Sequence, residues 1–423
     1  MVRLALHKMH QKLAVRPILF LCFVVSLVTT TLFYFSTVVS TSPQELVRAA
    51  LEECARDSRY AEVYRRPDRL PPGYKYLLLW SPPDIEPIVG LGSSQRAFLD
   101  HNCSVVNCYV TTDRNLLGGD LTRFDAILFD GRHVAKMKRK HLPPVRHPRQ
   151  LYIYFNSESA DNYPVCDECF DDFFNMTVTY RLDSDVPWLY FAVQDALGHV
   201  VGPQANMRWA QPARIISSPL LDRLARKTRA AAWFVSNCWS RSGREHLVNY
   251  LQKALVPYKL QVDVFGQCGR LKCSRTVDTF CDKLIERDYY FYLALENSFA
   301  EDYVTEKVWR AVNNTAVPVV LGGAQYDRFL PPGSYLDAGQ LSVAELAKRI
   351  AHAVRSPTYY SRFFRWRELY SWTNKLLEKN VCAVCAALHA PRMSTARYGH
   401  FRRWWHPEYE ERCGIKDLSP SLL

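Results

Sequence analysis

From Ile18 to Val39 the chain runs for 22 residues without a charge (ILFLCFVVSLVTTTLFYFSTVV). That length suffices for a spanning helix, which needs about 20 apolar residues at 1.5 Å rise. Arg3, Lys8, Lys12 and Arg16 precede it with no acidic residue, whereas Arg48, Arg56 and Arg59 behind it are offset by Glu45, Glu52, Glu53 and Asp57. The positive-inside rule then keeps residues 1–17 in the cytosol and sends everything beyond the anchor across the membrane. A cleaved signal peptide is the rival reading, but its apolar region runs only about 7–15 residues. The expectation is an uncleaved, single-pass type II anchor over 18–39. A polar stem follows over 40–73, with one short helix at Glu45–Arg56.

That topology decides how the cysteines read. Of 13, Cys22 lies in the anchor and 12 lie beyond it, an even number suited to disulfides in an oxidising compartment. Cys166-Asp-Glu-Cys169 and Cys382-Ala-Val-Cys385 have zinc-ribbon spacing, but across a membrane disulfide staples are the stronger reading. Three glycosylation sequons, Asn102, Asn175 and Asn313, fit the same side. Asn102 and Asn175 are expected to be the accessible ones, since Asn313 lies close before the next strand. The formal charge is +12, and between Gly131 and Arg149 seven Lys/Arg occur with no Asp or Glu. In a cytosolic chain such a run would suggest nucleic acid. Behind an anchor that partner is absent, and the run reads as a solvated face, with anionic glycans or a membrane surface as the alternative contacts.

Past the stem, apolar runs alternate with amphipathic ones. Tyr74–Trp80, Val105–Val110, Asp125–Phe129 and Leu151–Phe155 read as buried strands. A second block brings a strand at Trp233–Ser236, a helix at Ser242–Leu255, strands at Leu260–Phe265 and Tyr289–Leu295, a helix at Val304–Asn313 and a strand at Ala316–Leu321. Such alternation indicates βαβ units and parallel sheets. The predicted architecture is α/β: two Rossmann-like domains, 74–219 and 220–375, facing a cleft, then a C-terminal arm over 376–423. The aromatic, basic run Tyr359–Tyr370 is expected to be a helix lying across a domain surface.

The stretch Tyr289–Gly323 carries the chemistry. An all-apolar strand delivers Glu296 and Asn297 at its carboxyl end, where open α/β sheets place ligands. The helix that follows offers first-turn N–H groups to an anion, with Lys307 at the same end. Its opposite reading is an ordinary amphipathic helix with a solvated Glu306–Arg310 pair. Residue types alone reach an anion site at a strand–helix junction and stop there.

The motifs go further. Glu296-Asn297-Ser298, Asp302-Tyr303-Val304-Thr305-Glu306-Lys307, Pro318-Val319-Val320-Leu321-Gly322 and Arg328-Phe329-Leu330-Pro331-Pro332 together closely resemble the donor-binding motif of the α-1,3-fucosyltransferases. Phe234-Val235-Ser236-Asn237-Cys238, Val262-Asp263-Val264-Phe265-Gly266 with Cys268-Gly269, and Tyr180-Arg181 with Asp183-Ser184-Asp185 match in the same order, from about Tyr74 to Cys385.

The resemblance implies a GT-B-like, inverting glycosyltransferase of the Golgi membrane, its catalytic part lumenal. Its donor would be GDP-fucose and its acceptor a GlcNAc-type hydroxyl on a glycoprotein or glycolipid glycan. By the same resemblance Lys307 and Arg244 contact the donor phosphates, with Arg241 a competitor for the arginine role. Asn297, Tyr303 and Glu306 would line the nucleotide-sugar site, and Glu158 would be the general base. The family pattern there is Glu-Ser-Pro, and this chain has Ala160 in place of the proline. Asp183-Ser184-Asp185 looks like a metal-binding DxD but is read as structural. No fixed metal or cofactor is expected, with Mn2+ or Mg2+ at most stimulating. A catalytically impaired, glycan-binding relative is the alternative reading.

Overall fold

The computed structural model describes residues 73–81, 88–211, 216–273, 278–391 and 397–414, together with Ser26, Val28 and Thr29. The chain divides into two compact units, Met1–Pro71 and Pro72–Leu423. In the first, the three described residues are helical, and Thr29 Oγ1 donates to Ser26 O at 3.0 Å. Among the described residues no helix is long and apolar enough to cross a membrane. The rest of the expected anchor over 18–39, the stem helix Glu45–Arg56 and Cys54 lie outside them.

In Pro72–Leu423 the apolar runs pair in parallel, because a strand that buries both faces needs no polar alternation. β1 (Lys75–Leu79), β2 (Cys108–Thr111), β3 (Ala126–Asp130), β4 (Leu151–Asn156), β5 (Met176–Thr179) and β6 (Val186–Pro187) form one sheet, ordered β2-β1-β3-β4-β5-β6. β7 (Ala192–Asp195) and β8 (Val200–Gly202) follow. The second parallel sheet contains β9 (Arg229–Phe234), β10 (Val262–Phe265), β11 (Tyr289–Leu295), β12 (Val317–Leu321) and β13 (Leu336–Asp337), ordered β10-β9-β11-β12-β13. Phe291, Leu293 and Leu295 of β11 pack with the helices Arg244–Leu255 and Val343–Arg355, while Tyr292 and Ala294 pack with the helix Glu306–Asn313. Helices therefore cover both faces of the second sheet.

Three expectations need correction. The strand placed at Trp233–Ser236 begins at Arg229, because Ala230, Ala231 and Ala232 are buried despite alanine's weak strand preference. Tyr359–Tyr370 is not one helix. A short helix, Pro357–Ser361, and a 3-10 turn, Arg362–Phe364, bury Tyr360, Phe363 and Phe364, and the chain then becomes β14 (Tyr370–Thr373), antiparallel to β7. Tertiary partners override the local pattern there.

The third concerns the sequons. Asn175 is buried at 4% exposure, its Oδ1 accepting the Tyr152 N–H at 3.0 Å and bonding Arg146, so it is the confined sequon. Asn102 and Asn313 are exposed, and Asn313 ends its helix facing outward.

The C-terminal helix Leu377–His389 returns to the first sheet, placing Val381, Val384, Cys385 and Leu388 in its core. There Cys382 bonds Cys103 and Cys385 bonds Cys108. The CxxC cysteines thus face two partners from one helical turn instead of each other. His389 lies close to the Cys108–Cys385 pair, but both sulfurs are spent on the disulfide. Cys166–Cys413, Cys238–Cys268 and Cys273–Cys281 complete the bridges, and Cys169 is the free cysteine among the described residues.

Two measurements check this picture. The Cys108→Ser/Cys385→Ser double variant should lose about 2–5 kcal/mol of stability by denaturant unfolding. Glycopeptide mapping of the expressed chain should recover the Asn175 peptide unmodified, and Asn175→Gln should destabilise by about 1–3 kcal/mol through lost buried hydrogen bonds.

Candidate active site

The carboxyl ends of β4, β9, β10 and β11 open onto one cavity of about 560 Å³. Gly266, just past β10, has φ +101°, and a Cβ there would stand 2.3 Å from Val235 O. Only glycine lets these two strand ends approach. The six residues singled out from the sequence, Glu158, Arg244, Asn297, Tyr303, Glu306 and Lys307, all line this cavity, together with Tyr190 and Arg310.

Glu158 rides on the loop after β4. Its N–H is taken by Asn156 Oδ1 at 2.8 Å, Tyr190 Oη donates to Ser157 O at 2.5 Å, and Tyr303 Oη donates to Glu158 Oε2 at 3.2 Å. Two residues on, the Ala160 N–H donates to Tyr180 Oη at 2.9 Å, a bond that proline could not make. The same loop meets the loop after β11 through Ser159 Oγ and Ser298 Oγ at 2.5 Å, and through Asn162 Nδ2 donating to Asn297 Oδ1 at 3.2 Å. Burial first, and then the neighbouring Tyr190 and Glu158, push the Tyr303 hydroxyl well above the ordinary tyrosine range, so it remains a donor.

Across the cavity, Glu296 closes β11 with no exposure. Its carboxylate accepts Thr305 N and Thr305 Oγ1, both at 2.9 Å, and Lys307 Nζ at 2.9 Å. Part of the anion site expected at the helix start is therefore filled by the protein's own carboxylate. Burial lowers the Lys307 pKa, but Glu296 and Glu306 more than reverse this, so the ammonium is held above its ordinary value. Burial raises the Glu306 carboxyl, yet Lys307 at 3.4 Å together with hydrogen bonds from the backbone and Thr305 outweighs it and lowers the pKa, with about half the side chain still exposed.

Arg244 is almost fully buried. Nη1 donates to Leu295 O at 2.8 Å and Nη2 to Asn237 O at 3.2 Å, tying the loop after β9 to the end of β11 while the side chain lines the cavity. Arg241, its competitor, instead pairs with Asp161 at 2.9 Å. The Glu306–Arg310 pair of the opposite reading is not among the ion pairs of the described residues: Arg310 lies 3.1 Å from Asp282, and Glu306 goes to Lys307. Asp183 is held by Arg181 and Trp404, and Asp185 by Thr177 and Tyr398, so both carboxylates of the DxD-like run are taken by protein groups.

Sequence reasoning missed Tyr190, Glu296 as the countercharge of Lys307, and Asp302. Asp302 adopts φ +58° and accepts Leu182 N at 3.1 Å and Arg328 Nη1 at 3.0 Å. Asp302 and Arg328 both stand in quoted motifs; nothing in the sequence points to Tyr190. Taken together, the cavity sets the cations of Arg244, Lys307 and Arg310 on one side and the hydrogen-bonded Glu158 carboxylate on the other. That arrangement suits an anionic leaving group and a proton to be removed.

Comparison with known proteins agrees in extent and order. Residues 73–191 match the model "Fucosyltransferase, N-terminal", and residues 224–404 match "Glycosyltransferase family 10 (fucosyltransferase) C-term". The chain is 38% identical over 311 residues to alpha-(1,3)-fucosyltransferase C of Drosophila melanogaster, covering 72% of this chain and 70% of the relative. It is 34% identical over 306 residues to alpha-(1,3)-fucosyltransferase fut-1 of Caenorhabditis elegans, covering 70% of this chain and 64% of the relative. A crystal structure of an alpha1,3-fucosyltransferase with GDP-fucose aligns with a TM-score of 0.45 at 15% identity, over 76% of this chain and 91% of that one. By the two family models and the 38% identical relative, the chain belongs to glycosyltransferase family 10, the fucosyltransferases.

Proposed function

We propose that this protein moves L-fucose from GDP-β-L-fucose to a GlcNAc-type hydroxyl of a glycan in α-1,3 linkage, inverting the anomeric carbon. The observation that carries the reading is one cavity in which Glu158, from the first sheet, shares space with Arg244 and Lys307, from the second. The relatives named above are alpha-(1,3)-fucosyltransferases, and the two-sheet plan supports a GT-B arrangement of donor and acceptor lobes.

In this reading the diphosphate lies against Lys307 and the remaining N–H donors of Arg244. An Arg fork can engage phosphate oxygens in pairs, whereas Lys supplies a point charge. As the bond from fucose to GDP lengthens, negative charge grows on the leaving oxygen and these groups stabilise it. The anomeric carbon becomes oxocarbenium-like, as in glycoside hydrolysis, and the ionised Glu306 suits the ribose or fucose hydroxyls. Asn297 completes the nucleotide-sugar wall. The acceptor oxygen attacks from the opposite side and gives its proton to Glu158, which Tyr303 orients. Side chains and a helix start carry the cationic role, so no fixed metal is invoked; Mn2+ or Mg2+ would act as stimulants.

The reading of a catalytically impaired relative finds no support. The full residue set lines one cavity, and the Ala160 N–H anchors the loop that lacks the family's proline. Anchor topology and the disulfides support a type II protein of the Golgi membrane with this body in the lumen, and no role with nucleic acid.

GDP-fucose and a panel of glycan acceptors test the activity directly; transfer to none of them by the folded full chain would overturn it. Lys307→Ala should weaken GDP binding about 10- to 100-fold by calorimetry, through a lost charge-assisted contact of about 1.5–3 kcal/mol. Glu158→Gln should lower kcat about 100-fold or more with GDP affinity nearly unchanged. Because the Lys307 pKa is raised, its cation persists as pH rises. GDP affinity should therefore show no lysine-titration limb below about pH 10.

A further inference from the structure

Asp161, three residues beyond Glu158, is where three parts of the chain meet. Its Oδ1 accepts Arg241 Nε–H at 2.9 Å, from the loop after β9 in the other lobe. Arg412 Nε, from the short helix Tyr409–Arg412, donates to the Asp161 carbonyl at 2.9 Å and stands 3.2 Å from the same Oδ1. His406 Nε2 lies 3.9 Å from that oxygen.

The C-terminal arm grips the Glu158 loop a second time. Trp405, 1% exposed, donates its indole N–H to Tyr163 O at 2.9 Å and packs its ring 5.6 Å from Tyr180, whose hydroxyl receives the Ala160 N–H. The arm is itself fixed to the first lobe by the Cys166–Cys413 bridge and by Arg402 on Asp171 at 2.8 Å. Ion pairs as open as Arg241–Asp161, with Arg241 45% exposed, add little to folding. One carboxylate shared by two guanidiniums from different elements instead fixes geometry, and its loss would leave two cations facing each other.

We propose that Asp161, held by Arg241 of the donor-side lobe and Arg412 of the C-terminal arm, is a positioning residue that sets the Glu158 carboxylate against the donor site. The inference rests on the fucosyl-transfer reading, in which Glu158 accepts the acceptor proton. A misplacement of about 1 Å at a reacting group can cost about 100-fold, so releasing one end of this loop should cost about tenfold.

The test uses the full chain carrying Asp161→Asn, Arg412→Met or Arg412→Lys. Asp161→Asn should lower kcat about tenfold, with the KM for GDP-fucose and calorimetric GDP affinity changed less than about twofold. Arg412→Met should act in the same direction, and Arg412→Lys should recover most of the loss. Unchanged kcat in Asp161→Asn and Arg412→Met overturns the proposal. So does a loss in which kcat, GDP affinity and melting temperature fall together, because that marks a merely structural role. If the parent chain transfers no fucose at all, the fucosyl-transfer reading fails on its own, and hydrogen exchange then decides the clamp. Faster exchange of the Ala160 amide in Asp161→Asn supports it, and unchanged protection overturns it.

Discussion

The site depends on a buried ion pair between Lys307 and Glu296. Glu296 directly follows the central strand of the second sheet and Lys307 lies in the first turn of the following helix, so this contact fixes the strand–helix junction and the charge of the cavity wall at once. Breaking a buried pair from one side typically costs about 3–5 kcal/mol, since the orphaned charge remains desolvated. Glu296 also takes both donors of Thr305, leaving Lys307 as the group that can turn toward an incoming anion. A fully free ammonium would have been pulled toward neutrality by burial; here a carboxylate beneath it preserves the charge.

The rest of the architecture brings a second carboxylate to the same place. Parallel sheets direct every strand's carboxyl end to one edge, and two such edges in one chain meet across a cleft. The polar contacts across the cleft include Ser159 with Ser298, Asn162 with Asn297, and Arg241 with Asp161. Beneath them runs an apolar seam, in which the Tyr180 and Tyr303 rings meet at 4.9 Å and Phe191 and Val193 pack with Val304 and Phe329.

Much of this was legible in the residues, for identifiable reasons. Doubly buried strands such as Tyr289–Leu295 announce themselves as unbroken apolar runs. The candidate site residues stand at strand ends and helix starts, where motif spacing reports them. What stayed hidden was set by distant partners. Tyr370–Thr373 is a strand only because β7 lies beside it. Asn175 carries a surface-like sequon, yet its amide is needed by the Tyr152 backbone. The clamp at Asp161 joins residues 80 positions apart on one side and 251 on the other, and no local pattern encodes such a meeting.

The bridges from Cys382 and Cys385 back to Cys103 and Cys108 have a biosynthetic consequence. They join positions 279 and 277 apart, so the first sheet cannot be sealed until residue 385 has been made. At about 5–20 residues per second, that leaves roughly 15–60 s during which the early thiols stand unpaired. A chain cut short before residue 382 would keep Cys103 and Cys108 as unpaired thiols and leave the first sheet without the helix that packs on it.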